Sequence, residues 1–430
     1  MEGGDRIPAI WYAVYNVALH LGALVCLPFW LVARLLRGRY RGQFKERMGI
    51  LPAEILARFP QGEGAVWIHA ASAGETAAAV PLVRRLRDLL PRRPFLFTVT
   101  SRYGKEMALK RLSGVVDAIA FSPLDLPLFC RRFLGRVRPS LYVMVETDLW
   151  PNLVVLAKRR GAKVAIASGH AGPRTFPRPF WRYVFGRVDL LLMQSEADAR
   201  HVVARGAPVA RVRVGGNLKF DGAARMDAAA LPAWRAELKI PEGARVLVAG
   251  STLPEDEGPV LDAVRALRAE GVDLVAVVAP RRQERVPPLL GACSARGLAA
   301  ATRTGGGSGA VLVLDTMGEL QRAYEVADVA YVGGGFTPEV GLHNVIEPLV
   351  CEVPVLMGPH RGKARRLAEE VLSAGAGLEV ADGPALAAAL RALLADEARR
   401  KALASAGRAL LSLHRGAADR QARSLAELLA

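Results

Sequence analysis

The run Val66-Trp67-Ile68-His69-Ala70-Ala71-Ser72-Ala73-Gly74-Glu75-Thr76 decides how this 430-residue chain is read. An apolar stretch ends in small residues and then presents one carboxylate, the pattern of a strand, a tight turn and a helix start. Small residues such as Ser72 and Gly74 at the end of a parallel strand let a ligand approach the backbone. Open α/β sheets bind ligands in that crevice, so Glu75 points at whatever is bound. An acidic residue in a first helical turn is also favoured for stability alone, and Glu75 therefore carries a structural and a catalytic reading at once. The helix dipole favours the ionised carboxylate, which can accept a proton as a general base.

On either side of this run, short β-rich stretches alternate with amphipathic Ala/Leu/Arg stretches, the signature of βαβ units and parallel sheets. Strands are predicted at 65–70, 95–100, 117–121, 141–145, 163–167, 189–193 and 212–214. After an Ala-rich gap from Asp221 to Glu242, a second series follows at 245–250, 273–279, 311–314, 328–333, 354–357 and 377–380. Helices fill 384–430, and the Gly305–Gly309 run reads as a flexible loop. The pattern predicts two doubly wound domains with a hinge near 221–240. With the N-terminal segment, the expected division is 1–36, 37–225 and 226–430.

From Ile7 to Ala33 there is no Asp, Glu, Lys or Arg, and Trp11, Tyr12, Tyr15 and Trp30 sit near the ends of the stretch. Such a length spans a bilayer as a helix. Arg34, Arg37, Arg39, Arg41, Lys45 and Arg47 follow, which assigns the rest of the chain to the cytoplasmic side. Asn16, His20 and Pro28 interrupt the run, so a monotopic or re-entrant anchor stays open. The 58 Lys and Arg against 41 Asp and Glu give a formal charge of +17 and imply an anionic partner. Cys26, Cys130, Cys293 and Cys351 lie too far apart for a disulfide framework or a zinc site. There is no Asp-x-Asp pair for a divalent ion, and no metal or cofactor is expected.

In the second series the strand ends carry ligand-type residues. Ser251 and Thr252 close one strand. Pro280 and Arg281 close another, and a guanidinium matches phosphate by forked hydrogen bonds. Gly333, Gly334 and Gly335 offer backbone N–H groups to an anion. Asn344 caps a helix whose first turn holds Glu347, a carboxylate placed to accept from a ribose diol; the same spacing is also an ordinary capping box. No P-loop or dinucleotide fingerprint follows a strand.

These residues resemble a family, the bacterial 3-deoxy-D-manno-octulosonic acid (Kdo) transferases of lipopolysaccharide synthesis. The resemblance rests on Ser72-Ala73-Gly74-Glu75, Glu146-Thr147-Asp148-Leu149-Trp150-Pro151-Asn152, Gly216-Asn217-Leu218-Lys219-Phe220-Asp221, Asp315-Thr316-Met317-Gly318-Glu319-Leu320, and His343-Asn344 with Glu347-Pro348. It implies an α/β chain of GT-B type, two Rossmann-like domains facing a cleft behind an N-terminal membrane-anchor helix, the first taking the acceptor and the second CMP-Kdo. It implies transfer of Kdo to the lipid A precursor lipid IVA with inversion, at the cytoplasmic face of the inner membrane. In that scheme Glu75 is the base, Glu146 lies near the acceptor, and Lys219 faces the cleft towards the donor. Arg281, Met317, Gly318, Glu319, Asn344 and Glu347 fall where CMP is held. The chain departs from the family pattern at Ser168-Gly169-His170-Ala171-Gly172, with Arg174 beyond it, at Pro280-Arg281-Arg282, and at Gly358-Pro359-His360-Arg361-Gly362-Lys363-Ala364. A basic charge and an anchor suit an acceptor bearing phosphates and acyl chains on an anionic phospholipid surface. Two alternatives stand beside this reading. One is a GT-B enzyme using another nucleotide sugar. The other is a basic membrane-tethered protein binding nucleic acid or lipid, which the dispersed basic residues and scarce aromatics disfavour.

Overall fold

The computed structural model describes residues 6–37, 43–59, 64–146, 149–170, 176–222 and 227–430. They form two compact units, one made of residues 1–222 with 416–430 and the other of 223–415.

The first unit is built on a seven-stranded parallel sheet of β1 (Ala65–Ala70), β2 (Phe95–Val99), β3 (Ala118–Phe121), β4 (Pro139–Val145), β5 (Lys163–Gly169), β6 (Leu190–Met193) and β7 (Val212–Val214), in the order β3-β2-β1-β4-β5-β6-β7. Helices cover both faces, so β1 and β2 are buried along their whole length and read as apolar runs without alternation. Alternate residues of β1 feed different cores. Trp67 stacks on Tyr142 at 4.0 Å between ring centroids, while Val66 and Ile68 pack on the other face with Leu82 and Leu86 of the helix Ala73–Leu89.

The second unit repeats the plan with β8 (Arg245–Thr252), β9 (Leu274–Pro280), β10 (Ala300–Thr302), β11 (Val311–Val313), β12 (Val329–Val332), β13 (Val355–Met357) and β14 (Gly377–Glu379), ordered β10-β11-β9-β8-β12-β13-β14. The strand β10 is absent from the sequence reading. Ala300-Ala301-Thr302 is a half-buried edge strand with little β-propensity of its own, made a strand by pairing with β11.

The expected boundary at the C-terminus is also corrected. Residues 226–430 are not one domain, because 416–430 return to the first unit. Gly416, at φ 80°, breaks the helix Glu397–His414 from the helix Ala417–Ala426. The Asp221 carboxylate accepts from Gly416 N at 2.9 Å and Ala418 N at 2.6 Å. Ala418, Ala422 and Leu425 then enter the core face that holds Ile68 and Leu82.

Of the N-terminal segment, Arg6–Arg37 is one helix, and its stretch Ala9–Cys26 is long and apolar enough to cross a membrane. Arg39 and Arg41 lie outside the described residues.

Leu425→Ala empties a fully buried position in the first unit and is expected to cost about 2–5 kcal/mol. Hydrogen exchange should quicken in β1 and β4 and stay unchanged in β8 and β12. Equal loss of protection in both sheets would contradict the assignment of this helix.

Candidate active site

Each sheet has a place where the chain switches direction, between β1 and β4 in one and between β8 and β12 in the other. Ligands of open parallel sheets bind outside the strand carboxyl ends at such points.

At the end of β1, Ser72 caps the helix Ala73–Leu89. Its hydroxyl accepts from Glu75 N at 3.2 Å, and Glu75 Oε2 accepts from Ala71 N at 2.6 Å and Ser72 N at 3.2 Å. This is a complete capping box, so the structural reading of Glu75 is realised. A carboxylate offers about four acceptor directions, and closing the turn is compatible with taking a proton. Neighbouring backbone clamps the turn, because Ala71 O accepts from Thr100 N at 3.2 Å and Ser101 N at 2.9 Å. Gly104 is glycine for a packing reason, since a Cβ there would lie 2.9 Å from Ser101 Oγ and 3.3 Å from Ala71 O. Gly74 is different. A Cβ there would meet only Ser72 Oγ, at 3.9 Å, so the fold does not require the glycine.

Glu146, directly after β4, is buried at φ 62°. A non-glycine residue in that region costs about 1–3 kcal/mol and marks positions where the surroundings hold a side chain in place. Its Oε1 lies 2.8 Å from Lys219 Nζ, and its Oε2 lies 3.8 Å from His170 Nε2. Lys219, expected on the donor side, pairs its ammonium with Glu146 inside the first unit. Thr147, Asp148 and Arg174 lie outside the described residues.

The segment carrying Lys219 is fixed by Ser168, from the stretch that departs from the family pattern, and by Gln421, which sequence reasoning missed. Buried Ser168, at φ 52°, accepts from Leu218 N through its hydroxyl at 3.2 Å, and its own N–H donates to Gln421 Oε1 at 2.8 Å. Gln421 Nε2 in turn donates to Gly216 O at 2.8 Å. The returning C-terminal helix thus braces both loops that flank Glu146. One polar residue among the buried positions Ala417, Ala418, Gln421, Ala422 and Leu425 is the signal that was available.

In the second unit, Ser251 (φ 56°) and buried Thr252 end β8, and Thr252 Oγ1 has no hydrogen-bond partner among the described residues. Thr252 pairs with Pro280, and Arg281 N donates to Thr252 O at 2.9 Å, bringing the ends of β8 and β9 together. The expected anion-binding N–H groups after β12 are corrected in part. Gly333 N donates to Gly250 O at 2.9 Å and Gly334 N to Asp256 Oδ2 at 2.7 Å. The glycines serve packing, because a Cβ on Gly333 would lie 2.4 Å from Ser251 O and one on Gly334 2.1 Å from Gly341 O. Asp256, which the sequence reading passed over, also accepts from Tyr331 Oη at 2.7 Å and Leu253 N at 2.8 Å.

Asn344 Nδ2 donates to Glu347 Oε1 at 3.0 Å, and Asn344 Oδ1 accepts from Ile346 N at 3.1 Å. Beside them, burial and then the Arg281 guanidinium hold the His343 imidazole below its usual pKa, so it is neutral at pH 7. Burial, with Glu347 next, raises the Tyr324 phenol well above its usual value. Beyond β11, Met317 is 58% exposed. Gly318 turns at φ 85°, and Glu319 pairs with Arg303 at 3.4 Å and accepts from the Thr316 hydroxyl. The edge of this sheet therefore presents an exposed guanidinium at Arg281, carboxylates at Glu319 and Glu347 and an apolar surface at Met317. Among the described residues no group of three His, Cys, Asp or Glu side chains is arranged to hold a metal ion. His360 and Arg361 of the departing 358–364 stretch line a pocket of about 360 Å³ with Pro338, Arg365 and Glu369.

Residues 42–222 match a family model described as 3-deoxy-D-manno-octulosonic-acid transferase. A 3-deoxy-D-manno-octulosonic acid transferase of Bordetella pertussis is 33% identical, over 97% of this chain and 99% of the relative. One from Chlamydia pneumoniae is 29% identical over 97% and 96%. Among solved structures, a glycosyltransferase from Rickettsia africae superposes with a TM-score of 0.61 at 10% identity, over 86% of this chain and 99% of that one. A UDP-GlcNAc 2-epimerase from Neisseria meningitidis superposes with a TM-score of 0.57 at 13% identity, over 85% and 99%. At such identities the likeness is one of fold.

Gly74→Ala tests whether the space at the β1 turn belongs to a ligand. The variant is expected to melt at or slightly above the parent temperature, since alanine favours a helix over glycine by about 0.5–1 kcal/mol, and to lose turnover. Parent-level turnover would assign that space to solvent.

Proposed function

The chain belongs to the 3-deoxy-D-manno-octulosonic acid transferases, and we propose that it transfers Kdo from CMP-Kdo to the lipid A precursor lipid IVA, with inversion and with Glu75 as the base. The observation that carries the catalytic part is the β1 turn. Its carboxylate is held at the sheet's switch point by two amides, next to a glycine the fold does not need.

In this scheme a primary hydroxyl of the acceptor attacks the anomeric carbon of Kdo. The new C–O bond forms as the bond to the CMP phosphate breaks on the opposite face, and the hydroxyl proton passes to Glu75. Positioned proton transfer of this kind contributes about 10²–10⁴-fold. Ser72 and Gly74 form the wall the acceptor approaches. Glu146, neutralised by Lys219, acts beside them on the acceptor side. In this reading Lys219 serves the reaction through Glu146.

The donor is assigned to the edge of the second sheet, where Arg281 meets the phosphate and stabilises the departing CMP. Ser251, Thr252, Pro280 and Gly334 shape the floor under it. Glu347, oriented by Asn344, accepts from the ribose hydroxyls, and Met317, Gly318 and Glu319 border the base. The residues assigned here leave no role for a metal. The same reading places the chain on the inner membrane, with both units on the cytoplasmic side against an anionic phospholipid surface, in lipopolysaccharide assembly. The N-terminal apolar helix and the net charge of +17 support this.

Glu75→Gln separates the two duties of the carboxylate. Glutamine still accepts the Ala71 and Ser72 amides, as capping boxes with Gln do, and it cannot take a proton at neutral pH. The purified variant is expected to keep its melting temperature and its stabilisation by CMP. Mass spectrometry of lipid IVA incubated with CMP-Kdo should show Kdo addition falling at least about 10²-fold. Near-parental transfer would remove Glu75 as the base, and a parent chain stabilised by UDP and not CMP would move the donor assignment to another nucleotide sugar.

A further inference from the structure

One face of the apolar N-terminal helix is built into the first unit. Tyr12, Tyr15, Asn16, Leu19 and Ala23 are half-buried at helical spacing, while Ile10, Val14, Val17, Leu21, Leu24 and Val25 are exposed. Tyr15 Oη donates to Asp125 Oδ2 at 2.8 Å, Tyr12 Oη donates to Asn152 Oδ1, and Asn152 Nδ2 donates to Asn16 Oδ1 at 2.9 Å. Asp125 and Asn152 are themselves buried. The Asp125 carboxylate also accepts from the N–H groups of Asn152 and Leu153, both at 2.9 Å, in the first turn of the helix Pro151–Arg159. Aromatic packing completes the seat, with Tyr12 stacked on Tyr183 at 5.1 Å and Tyr15 against Phe176 at 5.7 Å and Phe180 at 5.4 Å.

This seat conflicts with a bilayer crossing. Residues 12–23 advance about 16 Å along the flank of the unit at 1.5 Å per residue. Sinking that stretch into hydrocarbon would carry Asp125 and Asn152 with it, and ionisable groups there are costly. Withdrawing the helix instead would leave Asp125 and Asn152 short of partners that they have in the fold, at a cost for buried polar groups.

We propose that the helix stays docked and lies in the plane of the bilayer, with the stripe Ile10, Val14, Val17, Leu21 and Leu24 immersed at the acyl boundary and both helix ends on the side of the two units. Interfacial helices bury an apolar face about 5–10 Å deep in this way. The occupant is an anionic phospholipid surface. Phe176, which packs on Tyr15, also lines a groove of about 240 Å³ with Trp181, Arg178 and Arg205, so two guanidinium groups stand close to the seat of the helix. The inference rests on the membrane location proposed above and not on the reaction.

Of the four cysteines only Cys26 is exposed, so in the full-length chain with Cys26→Ala and Gly3→Cys the thiol introduced ahead of the helix joins only buried ones, and its labelling in lysed spheroplasts serves as the reference. In spheroplasts treated with a membrane-impermeant maleimide, labelling is expected only after lysis. Labelling of intact spheroplasts would overturn the in-plane helix. Val14→Glu with Val17→Glu is expected to keep the parent melting temperature while the fraction floating with phosphatidylglycerol vesicles drops several-fold; undiminished flotation would overturn the stripe. Tyr15→Phe, which removes only the hydroxyl on Asp125, should lower the melting temperature, and an unchanged value would overturn the seat. Kdo transfer enters none of these readouts, so failure of the catalytic scheme and failure of this inference are told apart.

Discussion

Within each sheet every strand runs the same way, and that constraint places all the chemistry. Parallel pairing puts seven carboxyl ends on one edge of each unit. The reversal of strand order opens one crevice on that edge, beside the first strand of each sheet. Glu75 and Glu146 flank the crevice of the first unit because Glu75 opens the helix that follows β1 and Glu146 directly follows β4. Thr252 and Gly333 hold the equivalent places because they end β8 and β12.

The same edges hold three of the six described non-glycine residues at positive φ: Glu146 directly follows β4, and Ser168 and Ser251 stand one residue before the ends of β5 and β8. Each is held there by contacts from elsewhere in the chain: Lys219 on Glu146, Gln421 and Leu218 on Ser168, and the close approach of Gly333 to Ser251. Rigid neighbours meet the cost of the strain, and the side chains gain a fixed direction at the site.

What the sequence disclosed depended on range. The strand ends were legible because apolar runs stopping at small or acidic residues are local signals, and Ser72 with Glu75 announces its capping box within four residues. The partners of those residues were not. Glu146 meets Lys219 and His170 from the segments that follow β7 and β5, and no spacing encodes that encounter. Asp256 looks like an ordinary first-turn acid until Tyr331 and Gly334 arrive from β12 and the loop after it. The helix Ala417–Ala426 has the same Ala/Arg composition as the helix before it, and only its buried partners reveal which unit it joins. The N-terminal helix reads as a span by hydropathy, since nothing local says that Tyr12, Tyr15 and Asn16 will find Asn152 and Asp125.

The return of residues 416–430 has a consequence for the order of folding during synthesis. The second unit is contiguous and its last residue leaves the ribosome before the first unit has its closing helix. Domains tend to fold as they emerge, yet here the earlier unit is the later one to finish. Ile68, Leu82 and the Ser168 loop wait for Leu425 and Gln421. Until then the nascent chain carries an open apolar face as well as an apolar N-terminal helix. A transcript lacking the codons of residues 416–430 would yield the second unit joined to an unfinished first one.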